Sequence, residues 1–205
     1  MKKIPLAFVI TFFWCGLYAQ QPKIISDCTI TYAVTDPDKT EKDTIATSII
    51  YIRGKDIRVD FISHEFSQSI FYNDNSGNAT ILKVIGKSKY ISNYNSDEWK
   101  NKNEMYKGVT VSVTGKTKQI LNYNCKEAQL TLKNGKVYTV YFIPFLLPSV
   151  RENPFEFKDV PGFILEYQLQ SGENNKILFT TTSINFNPVP SVQFEIPKTG
   201  YRILH

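Results

Sequence analysis

The chain holds two histidines, His64 and His205, and neither has a second His or Cys at a metal-binding spacing such as H-x-x-x-H or C-x-x-C. His64 lies beside Glu65 in a strand or turn and reads as an exposed polar residue. A nucleophilic serine needs a base and a frame that holds it, and no G-x-S-x-G stretch occurs. Gly115-Lys116-Thr117 has the ending of a phosphate-binding loop. That loop needs a glycine five residues before Gly115, where Thr110 stands, so the stretch reads as a β-turn. Acid–base work on a sugar needs two carboxyls about 5–10 Å apart. Asp97/Glu98 and Asp56/Asp60 are candidate pairs, but with 19 acidic residues spacing alone selects none. The expectation is therefore no catalytic residue, no metal and no cofactor.

Aromatic content is the remaining chemical signal. Twelve tyrosines and fourteen phenylalanines are many for 205 residues. In a sheet most such rings are core. A curled sheet with an aromatic inner face also encloses apolar ligands. The candidate inner face carries Tyr32, Ile57, Val59 and Phe61, with Phe145-Leu146-Leu147 as mouth or lid. Two closed carboxylates across a cleft would mark a hydrolase instead.

The elements that must position these residues are strands. Cys28, Ile30, Tyr32 and Val34 alternate with Thr29, Thr31, Ala33 and Thr35. Ile57, Val59 and Phe61 alternate with Asp56, Arg58 and Asp60, and Val109, Val111 and Val113 with Thr110, Ser112 and Thr114. Period two belongs to strands buried on one face. Gly54-Lys55 and residues 73–78 supply turns, and Asn134-Gly135 predicts a type I′ hairpin turn between strands at 128–132 and 137–142. A further hairpin turns at 171–175, and a last strand is predicted at 192–196, ending at Pro197. A short helix is predicted over 96–106 with Ser96 as its N-cap. Residues 36–44 read as an exposed loop. Residues 144–155 are apolar, with three prolines that exclude a central strand. Such a loop caps the open end of a core or binds something. Nine to eleven strands with hairpin spacing predict an all-β fold, a curled antiparallel sheet or half-open barrel with short helical or loop lids.

Residues 1–20 read as a secretory signal peptide: Lys2 and Lys3, an apolar run at 4–14, and a small residue at Ala19 for cleavage near Ala19-Gln20. Cys15 follows Trp14, too large for a lipobox, and leaves with the signal. Residues 21–205 then form a single β-rich domain, periplasmic or secreted. Removing Lys2 and Lys3 from 24 basic residues leaves 22 against 19 acidic, a net charge near +3. The lysines are scattered, so nucleic acid is not an expected partner. Cys28 and Cys125 remain, in a compartment that permits a disulfide. They are either that pair or two separate buried thiols, since spacing alone does not place their Cα atoms.

Two stretches carry a family resemblance. One is Ile120-Leu121-Asn122-Tyr123-Asn124-Cys125-Lys126-Glu127-Ala128, followed by the Asn134-Gly135 turn. The other runs Pro154-Phe155-Glu156-Phe157-Lys158-Asp159-Val160-Pro161-Gly162-Phe163-Ile164-Leu165-Glu166. Together they resemble the GLPGLI family of exported bacterial proteins. Asp159-Val160 stands where the name motif has Gly-Leu, and Phe163 replaces a leucine. Pro161-Gly162 suits a type II turn or sharp strand entry, with glycine accepting a positive φ, and aims Phe163, Leu165 and Tyr167 to one face. Residues 52–60, 70–73 and 194–202 are similar to LolA/LolB-like carrier domains. That resemblance implies a half-open barrel whose concave face takes acyl chains; no site motif of either family is matched. The reading that results is a periplasmic binding or carrier-like protein for a lipid or lipoprotein acyl chain. Its rival is a non-enzymatic envelope protein-interaction module that takes a partner strand.

Overall fold

The computed structural model describes residues 22–39, 44–151, 153–171 and 175–204. The expected signal peptide (1–20) with Cys15 lies outside them, as do parts of the 36–44 loop and the 171–175 turn, and His205.

Among the described residues, twelve strands join into one sheet and two form a short separate pair. That pair is parallel, β1 (Lys23–Ile25) beside β11 (Leu146–Pro148). The large sheet contains two antiparallel meanders. The first is β2 (Asp27–Thr35), β3 (Thr44–Arg53), β4 (Asp56–Ser63), β5 (Phe66–Asn73), β6 (Ala79–Ile85) and β7 (Ser88–Tyr94). The second is β8 (Thr110–Ile120), β9 (Tyr123–Thr131) and β10 (Val137–Ile143). The β12 (Phe163–Ser171) and β13 (Asn175–Asn185) hairpin joins them, β12 against β10 and β13 against β2. β14 (Arg202–Ile203) adds a parallel edge to β7.

The sheet is curled and open. Strands lie about 4.8 Å apart, so β4 and β13, three steps apart, would be roughly 14 Å from each other if flat. The ring centroids of Phe61 on β4 and Phe179 on β13 are 6.4 Å apart. Register shifts at Tyr141/Phe142 and Thr181/Ser183 increase the local twist that bends the strands. The outermost strands, β8 and β14, do not pair, so no barrel closes.

β2 follows its alternation throughout: Cys28, Ile30, Tyr32 and Val34 are buried. β4 does not, because Asp60 is buried too. The C-terminal segment returns across the convex face, and Arg58 bonds both Asp60 Oδ1 (2.8 Å) and the Gln193 carbonyl (2.9 Å). The strand predicted at 192–196 is instead a 3-10 turn, Ser191–Phe194, because Pro190 caps it and Pro197 follows, leaving no extended run free to pair. Both faces of β12 are covered, so Ile164 and Glu166 are buried along with Phe163, Leu165 and Tyr167.

Two turns differ from expectation. Gly135 has φ 81°, but Asn134 is not at positive φ, which excludes type I′. The Gly135 N–H donates to the Leu132 carbonyl, and the Leu132 N–H to the Lys136 carbonyl. That is a type I turn followed by a left-handed glycine, which widens the loop by a residue. Pro161-Gly162 needs no positive φ at glycine. Its demand is space against Phe142 and Ile143.

The helix α1 (Ser96–Lys102) is capped by Asn95 rather than Ser96. Asn95 Oδ1 accepts from the Asp97 and Glu98 N–H groups, and Glu98 Oε2 accepts from the Asn95 N–H. Glu98 is three residues after Asn95, so the reciprocal capping box selects that register.

On the convex face, Glu127 and Glu166 are buried carboxylates held by β8 and β10. Tyr141 donates to Glu127 Oε2 at 2.6 Å, and Lys118 Nζ reaches both Glu166 oxygens at 2.6 and 2.8 Å. The Tyr141 bond, aided by Thr114 and Lys116, holds the Glu127 carboxyl below its ordinary value, and the same bond pushes the Tyr141 phenol up to about 12. A carboxyl depressed by folding adds stability above its unfolded pKa of about 4.3 and loses it as pH falls through the folded value. Tyr141→Phe should therefore cost about 1.5 kcal/mol at pH 7 and flatten the acid limb of stability below about pH 4. Urea unfolding at pH 7 and pH 3 checks this; an unchanged acid limb would show that Tyr141 does not set the Glu127 titration.

Candidate functional site: an aromatic cleft under a short lid

The concave face is built from alternate residues of neighbouring strands. Val59 and Phe61 (β4), Phe66, Gln68 and Ile70 (β5), Tyr167 and Leu169 (β12), and Phe179 (β13) surround an open cleft of about 390 Å³. Its floor is a continuous run of rings. Phe66 stacks on Phe61 at 5.5 Å, Phe61 meets Phe179 at 6.4 Å, and Phe179 stacks on Tyr167 at 4.5 Å. Tyr167 takes the edges of Phe157 at 5.1 Å and Tyr32 at 5.6 Å. Offset and edge contacts of this kind hold rings in fixed orientations.

A lid of two segments crosses one side. One is α1 with the 3-10 turn Glu104–Tyr106. The other is residues 153–157. Tyr106, Asn153, Glu156 and Phe157 line the cleft from above. The lid is fastened by short polar contacts. Asn153 Nδ2 donates to Glu156 Oε2 at 3.0 Å, and Asn153 Oδ1 accepts from the Phe155 and Glu156 N–H groups. Burial, then the neighbouring Glu156 carboxylate that it bonds, pushes the Tyr106 phenol far above its ordinary value. Arg151 donates to the Val160 and Gly162 carbonyls at 2.6 and 3.1 Å, closing the base of this loop. A second hollow of about 90 Å³, lined by Ile57, Val59, Ile70, Trp99 and Asn153, adjoins the cleft under α1.

The structure places the sequence-derived candidates in four different settings. Val59 and Phe61 line the cleft itself. Tyr32 is fully buried behind it, its hydroxyl donating to the Ile164 carbonyl at 2.9 Å, and Ile57 lines the small hollow. Phe145, Leu146 and Leu147 lie elsewhere, where Leu146 and Leu147 pair with Lys23 and Ile24 and Phe145 is exposed. The lid comes from the later part of the same connection. Cys28 and Cys125 are both buried in the core, and no disulfide joins the two. Burial raises the Cys125 thiol to about 11, which keeps it protonated and unreactive. The aromatic residues of β12 and β13 were missed as a site. Their signal, Tyr167, Leu169 and Phe179 at period two on both sides of a hairpin, was present.

Among the described residues Glu156 is the single carboxylate lining the cleft, so no two of their acids face each other there. Among the described residues no group of three or more His, Cys, Asp or Glu is placed to hold a metal ion. No helix among them is long and apolar enough to cross a membrane.

These features define an all-β class: an open sheet curled about an apolar cleft, with short helical turns over it. PNGF-II has a similar fold, with a TM-score of 0.52 and 15% identity over 86% of this chain; another crystal form gives 0.51 and 12%. The match takes in 30% of the PNGF-II chain, so this chain spans under a third of that protein. MucB in complex with MucA(peri) is similar at TM-score 0.43 and 10% identity, over 84% of this chain and 54% of that one. A LolA superfamily protein, NE2245 from Nitrosomonas europaea, aligns at 0.34 and 10% identity over 87% and 92% of the two chains. At such identities the likeness to PNGF-II is one of fold alone. No protein-family model matches the chain, and no curated protein matches it.

Proposed function

We propose that this is an exported carrier-like protein that holds an apolar chain, such as a lipid or lipoprotein acyl chain, in the concave cleft. The observation that carries the reading is the 390 Å³ cleft floored by Phe66, Phe61, Phe179 and Tyr167. Ligand sites are concave, mostly apolar hollows of roughly 300–1,000 Å³ with a few fixed polar groups. Gln68, Lys83 and Asn153 are such groups. The signal-like residues 1–20 and the GLPGLI-like and LolA/LolB-like stretches support placement in the cell envelope. The rival reading, strand addition by a protein partner, would use the outer edge of β8. That edge is broken by a register shift between Val113 and Thr117 and carries Lys116 and Lys118. Bulges and lysines oppose strand addition, so the cleft is the better supported site.

The test is native mass spectrometry of mature protein purified from its own envelope fraction, followed by lipid extraction. A retained lipid of defined mass is expected. An apo mass, with no uptake of added fatty acid or phospholipid, would reject the carrier reading.

A further inference from the structure

Among the described residues the cleft is lined by one cation, Lys83, and one carboxylate, Glu156. Glu156 is engaged within the lid by Asn153 and Tyr106. Lys83 is placed differently. Lys55, Lys116 and Lys118 each stand beside a carboxylate, whereas Lys83 forms no ion pair among the described residues. Its Nζ lies 5.2 Å from the Phe66 ring centroid, half-buried at the cleft wall.

Sheet register gives this lysine polar neighbours. Lys83 is opposite Gln68 and Tyr90, Gln68 is opposite Phe61, and Phe61 is opposite Ser48. The parallel row two residues along is aliphatic from β6 to β3, Ile81, Ile70, Val59 and Ile50, with Ser92 at its β7 end. One rung of the concave face therefore offers a cation and amide and hydroxyl groups, and the next offers hydrocarbon across β6, β5, β4 and β3. A half-desolvated ammonium gains most from an anion that replaces its lost water.

Resting on the carrier reading above, we infer that the occupant is an amphiphile with a single acyl chain and an anionic head, carboxylate or phosphate. The head lies against Lys83 and Gln68, and the chain runs over Phe61, Phe179 and Leu169.

Four probes with the same twelve-carbon tail test this below their micelle concentrations: dodecanoate, dodecyl phosphate, dodecyl maltoside and dodecyltrimethylammonium. Calorimetry gives the affinities. Trp99, whose only companion Trp14 lies in the expected signal peptide, reports occupancy by its emission. The anionic probes are expected to bind about tenfold tighter than the neutral one, with the cationic probe weakest. Lys83→Gln should bring the anionic probes down to the neutral probe's affinity, with circular dichroism confirming the fold. In the unaltered protein, raising salt should narrow the gap, which tests the charge effect without any variant. The relative affinity of dodecanoate and dodecyl phosphate tells a fatty-acid head from a phospholipid-type head. Equal binding of neutral and anionic probes, or an anionic preference that survives Lys83→Gln, overturns the inference while leaving the carrier reading standing. Failure of all four probes to bind overturns both.

Discussion

Gly162→Ala is expected to lower the unfolding free energy by about 3 kcal/mol or more, the upper range for overpacking a filled core. A Cβ built on Gly162 would overlap the Phe142 ring at Cδ2 and the Ile143 carbonyl oxygen, and would stand 2.9 Å from the Ile143 carbonyl carbon. A flexible side chain could give way, but a backbone carbonyl paired in the sheet cannot. Phe142 and Ile143 are buried, and Ile143 is opposite Phe163 in the β10–β12 register. The extra methyl must therefore push β12, which carries Tyr167 of the cleft floor, away from β10. Pro161 is exposed, so Pro161→Ala should cost under about 1 kcal/mol, through unfolded-state entropy alone. Urea unfolding of the two variants checks the contrast. If Gly162→Ala lies within about 0.5 kcal/mol of the parent, the span typical of neutral surface changes, the close approach of β12 to β10 is not a stability determinant.

The largest functional effect should come from Phe61→Asp combined with Leu169→Asp. Both side chains are only half-buried and line the cleft, Phe61 from β4 and Leu169 from β12. Each contributes roughly 1.5–3 kcal/mol when fully covered by an apolar partner. Replacing both with carboxylates removes that gain and adds the cost of desolvating charge beside an acyl chain. Dodecyl maltoside affinity should fall on the order of 100-fold or more, since each 1.4 kcal/mol is a factor of ten. Neutral probes are the right readout, because an anionic head would also feel the added charges. Retained affinity would move the ligand out of this cleft. The polar 450 Å³ hollow between α1 and residues 154–159 would then be the next place to look.

The two variants separate structure from function. Gly162 touches no ligand in the proposed site and acts through strand packing. Phe61 and Leu169 are half-buried against the edge of the core and act mainly through the cleft surface. A protein that tolerates the second pair of changes but not the first has a cleft whose lining is free of folding duties. That freedom is expected where side chains are kept for binding.

Local pattern made the strands legible. Cys28, Ile30, Tyr32 and Val34 are buried because period-two alternation on a pleated strand leaves no other arrangement for four apolar residues. The Gly54 turn and the hairpin at 171–175 were legible for a similar reason, since their flanking strands pair in register. Boundaries and turn types were less so. Asn95 and Ser96 are both good caps, and only the reciprocal bond from Glu98 separates them. Asn134 suits positive φ but does not adopt it, because the Leu132–Lys136 bond closes a loop of three residues instead of two and Gly135 takes the left-handed position.

By itself the sequence determined an all-β chain whose strands carry apolar, aromatic-rich faces, because alternation and ring content are local properties of each strand. It also determined the scarcity of histidine. Only the tertiary structure decided which aromatics meet. Phe61 and Phe179 are 118 residues apart in the numbering and become neighbours through the curl of four strands. Curl depends on the register shifts and on what covers each face, and these are sums over long-range contacts that no local window contains. The same holds for the lid. Residues 145–147 and 153–157 belong to one apolar connection, and the pairing of Leu146 and Leu147 with Lys23 and Ile24 left the later segment to cover the cleft.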